Sequence, residues 1–294
     1  MITETYVHPE ALASTEWLAE HLDDPSVRVV DARFDLRAAS AGHVAHSEGH
    51  IPGAVFVNVM VDLSNPDNPL VVVSSDQFEA LMSRLGINND TTVVVYDDRG
   101  GTWAARLWWA LRYYGHENVK LLDGGLTRWE AQERPIERGP VESQPAIFKA
   151  RVCPELRVEA DDVMRAIESE DICIVDALPE AFFTGEACLY PGHRAGHIPT
   201  AHNVPAPANL DHVTQTLLPA AELVRLWAPV GLQPAQRVIT YCGGGVFAAF
   251  ALFTLYVMGH ENAALYDASW MEWGADLKRP IETGARSAHT AQRG

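Results

Sequence analysis

Cysteine is scarce in this 294-residue chain, and the few cysteines follow no framework pattern. Cys153, Cys173, Cys188 and Cys242 form no CxxC pair and no zinc-type spacing. Four thiols in so long a chain are not a disulfide scaffold, so a reducing compartment is expected. Positive charge is also short. Lys and Arg number 22 against 39 Asp and Glu, a formal net charge of −17. That weighs against nucleic acid and anionic membranes as general partners. It also means that an anionic substrate needs positive potential supplied at its own site. No apolar run reaches the ~18 residues of a membrane span. The opening MITETYVHPE has no basic stretch and no apolar core, so no secretory signal is expected and a cytoplasmic location is the default. What is plentiful is apolar residues, 47% against 21% charged, enough for the cores of two ordinary domains.

The chain repeats itself. VRVVDA (27–32) returns as ICIVDA (172–177), and GHIPGA (49–54) as GHIPTA (196–201). VVVYD (93–97) returns as VITYC (238–242), GHENVKLLDGG (115–125) as GHENAALYDAS (259–269), and RPIE (134–137) as RPIE (279–282). All five pairs are about 145 residues apart, which implies two homologous globular domains and not a solenoid. Each half alternates short β-branched runs with amphipathic ones. Strands are expected at VRVVDA, TTVVVYD (91–97) and VKLLDGG (119–125). Helices are expected at STEWLAEHL (14–22), SDQFEALMSRLGI (75–87) and WAARLWWALRYYG (103–115), with the same order in the second half. The pattern predicts an α/β fold, two tandem domains, each a mostly parallel sheet with helices on both faces. The expected bounds are 1–140 and 156–283, joined by a linker at 141–155 and followed by a disordered tail at 284–294.

One loop carries chemistry. The strand RVITY delivers Cys242 at its C-terminal end, and Gly243, Gly244, Gly245, Val246 and Phe247 lead into an apolar helix. Functional sites of open α/β sheets lie at carboxyl strand ends. Glycines let successive N–H groups turn inward as an anion cradle, and a helix N-terminus adds partial positive charge. Both favour a thiolate, so a depressed Cys242 pKa is expected. The matching loop of the first half reads YDDRGGTW, with Asp97 in place of the cysteine. A carboxylate cannot take up and hand on sulfur, and inside such a cradle it would occupy the site. The first half is therefore expected to be structural or to form one wall of the site.

These residues resemble the rhodanese superfamily, specifically its tandem-domain sulfurtransferases. The resemblance spans about residues 8–283 and rests on VVDAR and IVDAL, the two GHIP segments, YCGGGV, and LLDGGLTRW with its copy LYDASWMEW. It implies an inactive first domain, a catalytic second domain and a site near their interface. It also implies a reaction in which Cys242 takes sulfur from thiosulfate or 3-mercaptopyruvate as a persulfide and passes it to a thiol, a dithiol such as a thioredoxin-like protein, or cyanide. Backbone N–H groups of Gly243 to Phe247 would hold the charged sulfur. No cofactor and no metal is expected. Thiosulfate-preferring relatives carry basic residues in this loop, as in CRKGVT, and mercaptopyruvate-preferring ones read CGSGVT. CGGGVF has neither the basic pair nor the hydroxyls. Leu178 and Phe182 stand where related domains have arginines. Arg194, before AGHIP, matches a family arginine and is the expected clamp for an anionic donor.

Other candidates have blander readings. His43, His46 and His50, like His193 and His197, are close in sequence, but His50 and His197 recur in a half without the cysteine, which favours structural hydrogen bonding over metal binding. Asp31 and Asp176 recur likewise and are expected to brace loops. Trp103, Trp108 and Trp109 fall at helical spacing and belong to a core or a domain interface. Two other functions compete with sulfur transfer. A cysteine-dependent phosphatase needs an arginine at the loop's end, where Ala248 stands. A non-catalytic persulfide-binding or sensing module would keep the cysteine and lose turnover.

Overall fold

Alternation of β-branched runs with apolar-striped ones winds each half into a sheet wrapped by helices. The computed structural model describes residues 5–36, 38 and 40–285; of the expected tail, residues 286–294 lie outside the described residues. The first half runs β1 (Leu12–Ala13), α1 (Thr15–Glu20), β2 (Val27–Asp31), α2 (Ala41–Glu48), β3 (Val55–Phe56), α3 (Ser75–Arg84), β4 (Thr92–Tyr96), α4 (Ala104–Tyr113), β5 (Val119–Leu122) and α5 (Gly125–Ala131). The second runs β6 (Arg157–Val158), α6 (Ala160–Ile167), β7 (Ile172–Asp176), α7 (Glu180–Phe183), β8 (His202–Asn203), α8 (Ala220–Trp227), β9 (Arg237–Tyr241), α9 (Val246–Val257), β10 (Ala263–Tyr266) and α10 (Ser269–Trp273). Each half forms a five-stranded sheet with all pairings parallel, in the order β1-β5-β4-β2-β3 and, in the copy, β6-β10-β9-β7-β8. The two-residue edge strands and helices α2, α5, α7 and α10 are additions to the sequence-based expectation, being too short or too weakly striped to register as periodic runs. Local chemistry sets the helix starts. The Ser14 side chain accepts from the Trp17 N–H at 3.1 Å, and Ser74 and Gln77 form a reciprocal capping box.

Strand residues alternate between faces. Val94 and Tyr96 pack with Leu18, Leu126 and Trp129 on the outer face, while Val93 and Val95 point toward α3 and α4. The inner core does not stop at the domain boundary. Helices α4 and α9 occupy equivalent places in the two halves and pack on each other. Trp108 meets Phe253 edge to face at 5.0 Å, and the Arg112 guanidinium lies 4.1 Å over the Tyr256 ring. This is why VFAAFALFTLYV is apolar around its whole circumference: one side lies on its own sheet and the other on the opposite half. Replacing Phe253 by Leu removes a ring pair from that seam and is expected to cost about 1–2 kcal/mol. A urea titration would show one lowered, still coincident transition for both halves; separate transitions would mean that the seam does not couple them.

The halves also exchange loops. Val72 of the first half donates its N–H to Asp267 at 2.7 Å, and its counterpart Leu217 donates to Asp123 at 2.8 Å. The aspartates are the equivalent residues of LYDAS and LLDGG. Each half thus lays the loop before its own third long helix across the strand ends of the other.

Candidate active site

At the end of β9 the chain must leave the sheet and start a helix within four residues. Gly245 makes the turn at φ 78°, and α9 begins at Val246. Helix α10 braces the loop from behind. Trp270 and Met271 donate N–H groups to the carbonyls of Cys242 and Gly243, each at 2.9 Å, and the Cys242 N–H donates to the Ser269 hydroxyl at 3.1 Å. The repeated LYDASWMEW motif therefore serves as a backing plate for YCGGGV. The N–H groups of Ala248, Gly244 and Gly245 face the Cys242 sulfur.

The first half shows the same cradle filled. The Asp97 carboxylate accepts from the N–H groups of Arg99 and Gly101, each at 2.8 Å, and of Trp103 and Ala104 at 2.7 and 2.9 Å. The loop that holds a carboxylate in one half holds a thiol in the other.

The electrostatics of Cys242 run against the expectation of a depressed pKa. Burial pushes the thiol above its ordinary range. The three N–H groups pull it down, while nearby Asp176 adds to the rise. Glycine-loop dipoles alone do not outweigh removal from water. Asp176 is itself unusual. Its first-half counterpart Asp31 is buried too, yet hydrogen bonds from His46 and the Arg33 guanidinium, the latter at 2.6 Å, hold it below the usual carboxylate range. Leu178 replaces that arginine in the second half, and burial pushes Asp176 up to about 7.

Cys242, Gly243, Gly244, Val246 and Phe247 line a cleft of about 400 Å³ between the two halves. Gly245 is not on its wall and contributes through its N–H. The opposite wall comes from the first half: Met60, Ser64, Pro69 and Leu70 from the exchanged loop, and Trp103 and Arg106 from the start of α4. Sequence reading allowed for a wall from the first half but named none of its residues, because they lie more than a hundred positions from the cysteine and carry no motif. It also missed Tyr190. A Cβ built on Gly243 would lie 2.7 Å from the Tyr190 hydroxyl and 2.8 Å from Leu189, so a larger residue there would displace those side chains. Gly244 has no such crowding.

Arg194 is used elsewhere. Its guanidinium donates to the carbonyls of Arg279 at 2.7 Å, Trp273 at 2.9 Å, Gly274 and Asp276, and it is not on the cleft wall. It neutralises the carbonyl end of α10 and fastens the GHIP segment to it, which corrects the expectation of an anion clamp. Phe182 likewise stands off the wall, whereas Leu178 is on it. His50 and His197 join GHIP to RPIE: each residue's backbone pairs with Glu137 or Glu282, and the ring Nδ1 atoms lie 2.7 Å from the carbonyls of His46 and Phe183.

A profile of the rhodanese-like domain matches this chain twice, over residues 14–132 and 159–276. The chain belongs to the rhodanese family. Among rhodanese relatives, the 3-mercaptopyruvate sulfurtransferase of Escherichia coli (strain K12) is 38% identical over 272 residues, covering 91% of this chain and 96% of its own. The sulfur carrier protein TtuD of Thermus thermophilus is 35% identical over 293 residues, 95% of this chain and 99% of its own. The crystal structure of SseA from Escherichia coli, a 3-mercaptopyruvate sulfotransferase with the rhodanese fold, superposes with a TM-score of 0.78 at 36% identity, covering 88% of this chain and 98% of that one. This rhodanese is a sulfurtransferase with two rhodanese domains. No helix among the described residues is long and apolar enough to cross a membrane.

Proposed function

We propose that Cys242 is the nucleophile of this sulfurtransferase. It accepts sulfur from a small donor of the thiosulfate or 3-mercaptopyruvate kind and yields it to a thiol, a thioredoxin-like dithiol or cyanide. Residues 1–140 are the non-catalytic domain, 141–155 the linker and 156–283 the catalytic domain. One observation carries this reading: the sole cysteine among the described residues of the interdomain cleft lies in a loop of inward N–H groups whose duplicate already holds the carboxyl group of Asp97. A persulfide sulfur is a negative group of the kind that such a loop stabilises.

Thiol attack requires the thiolate, whose formation burial opposes and the N–H groups of Ala248, Gly244 and Gly245 favour. The Cys242 thiolate attacks the donor's outer sulfur, the donor fragment leaves with the bonding pair, and the persulfide anion settles against the N–H groups of Gly244, Gly245 and Ala248. The acceptor nucleophile then attacks that outer sulfur and Cys242 leaves as thiolate.

Incubation with donor is expected to add ~32 Da, one sulfur atom on the activated thiolate, and cyanide or dithiothreitol should remove it. Cys242→Ser should show no gain; an equal gain in that variant would move the sulfur to another residue. The likeness to a sulfur carrier protein favours a second reading, in which the persulfide is handed to a protein thiol. Loading without turnover on small acceptors would select it. The phosphatase reading lacks support, since Ala248 is buried where a phosphate-clamping arginine is needed.

A further inference from the structure

We infer that the sulfur donor selected by this cleft carries its sulfur on an apolar, ring-sized organic body and is not a compact inorganic dianion. The inference rests on the Cys242 reading above and departs from it on the donor, since neither thiosulfate nor 3-mercaptopyruvate carries such a body. Charge is the first ground. Among the described residues of the cleft wall only Arg106 is charged. Its guanidinium is 2.6 Å from the buried Asp267 carboxylate and 4.7 Å over the Trp109 ring. That cation is paired with Asp267, and its Nη1 lies against Gly245 of the cysteine loop. Arg194 is spent on carbonyls, and Arg33 on Asp31 and the Gly49 carbonyl. A dianion entering here would lose its water and meet no free guanidinium among the described residues, which is unfavourable unless N–H groups alone compensate. The cradle's N–H groups are committed to one negative sulfur.

The second ground is what the wall offers. Leu178, Leu189 and Phe247 from the catalytic half face Met60, Leu70 and Trp103 from the other. The cleft, about 400 Å³, is of the size that holds organic ligands and far exceeds the needs of a compact dianion. Tyr190 supplies the polar handle. Its hydroxyl stands over Gly243 beside the sulfur, and burial pushes its pKa up to about 12, so it stays a hydrogen-bond donor. An apolar body lying against the Trp103–Phe247 pair, whose rings are 6.1 Å apart, with one polar group on Tyr190, would aim the donor sulfur at Cys242.

Organic thiosulfonates test this with the reacting group held constant. In the loading step the Cys242 thiol and R–SO2–S⁻ give Cys242–S–SH and R–SO2⁻. The new S–S bond forms to the outer sulfur, the old one breaks, its pair leaves on the sulfinate, and the thiol proton ends on the persulfide. Loading rates would be measured with benzenethiosulfonate, methanethiosulfonate and thiosulfate, each normalised to its uncatalysed rate with glutathione. Burial of a ring predicts that benzenethiosulfonate exceeds methanethiosulfonate by roughly 10–100-fold, with thiosulfate slowest. Phe247→Ala should erase most of that advantage. Gly244→Lys, at a position open to a side chain, should shift the ratio toward thiosulfate by about tenfold or more. Thiosulfate equal to or faster than benzenethiosulfonate on the wild type would overturn the apolar-donor inference alone. Failure of all three donors to load Cys242 would overturn the sulfur-transfer reading with it.

Discussion

Cys242→Asp is expected to fold and to lose sulfur transfer by at least ~10³-fold, as removal of a covalent nucleophile does. The expectation comes from the molecule's own duplicate. Asp97 shows what a carboxylate does in this loop: it accepts four backbone N–H groups and closes the cradle. At position 242 a carboxylate would meet the N–H groups of Gly244, Gly245 and Ala248, one donor fewer in a loop one residue shorter. The missing donor sets an expected stability cost of about 1–2 kcal/mol. A thermal melt and a thiocyanate or sulfide assay would separate fold from chemistry. Activity within tenfold of the wild type would mean that the cradle at 242 is not where sulfur is carried.

Asp176→Asn is expected to stabilise the protein at neutral and alkaline pH and to have little effect below about pH 4. Asp176 has its folded-state pKa raised from 3.8 to about 7, chiefly by burial, with no guanidinium to match Arg33. The folded state holds this proton more tightly than the unfolded state does. The associated stability is fully present below about pH 4 and is lost as pH rises through about 7. A rise of that size corresponds to a loss on the order of 4 kcal/mol across the window. Asparagine keeps the oxygen that accepts the Leu178 N–H, at 2.8 Å in the wild type, and has no charge to desolvate. The gap between the two unfolding free energies should widen by about 1.4 kcal/mol per pH unit inside the window. A gap that stays constant from about pH 5 to pH 8 would show that Asp176 titrates normally. The same carboxyl raises the Cys242 pKa once ionised, so the variant should also load sulfur at a lower pH than the wild type.

The contrast between Asp31 and Asp176 shows where sequence reading stops. The repeated VDA motif placed both aspartates at equivalent strand ends and pointed to a bracing role for both. One substitution, Leu178 for the counterpart of Arg33, was visible in the sequence as a missing cation. That it strands a buried carboxyl beside the sulfur depends on which groups share the low-dielectric space under the loop. Arg194 teaches the reverse. A guanidinium near a catalytic loop suggests an anion clamp, but its donors are drawn first to the unpaired carbonyls at the end of α10.

What the sequence determined by itself is the local chemistry and the duplication. A spacing of about 145 residues gives two α/β units, because homologous runs must fold alike. Strand, cysteine, three glycines and helix give an anion cradle, because backbone N–H geometry follows from glycine and a helix start within a few residues. What only the tertiary structure decided is everything that needs two distant segments to meet. The packing of α4 on α9 and the loop exchange through Asp123 and Asp267 bring Met60, Leu70 and Trp103 over Cys242. Burial there raises the thiol that the glycines were expected to lower. Desolvation and wall chemistry are properties of a volume enclosed from both halves, and no stretch of either half carries them alone.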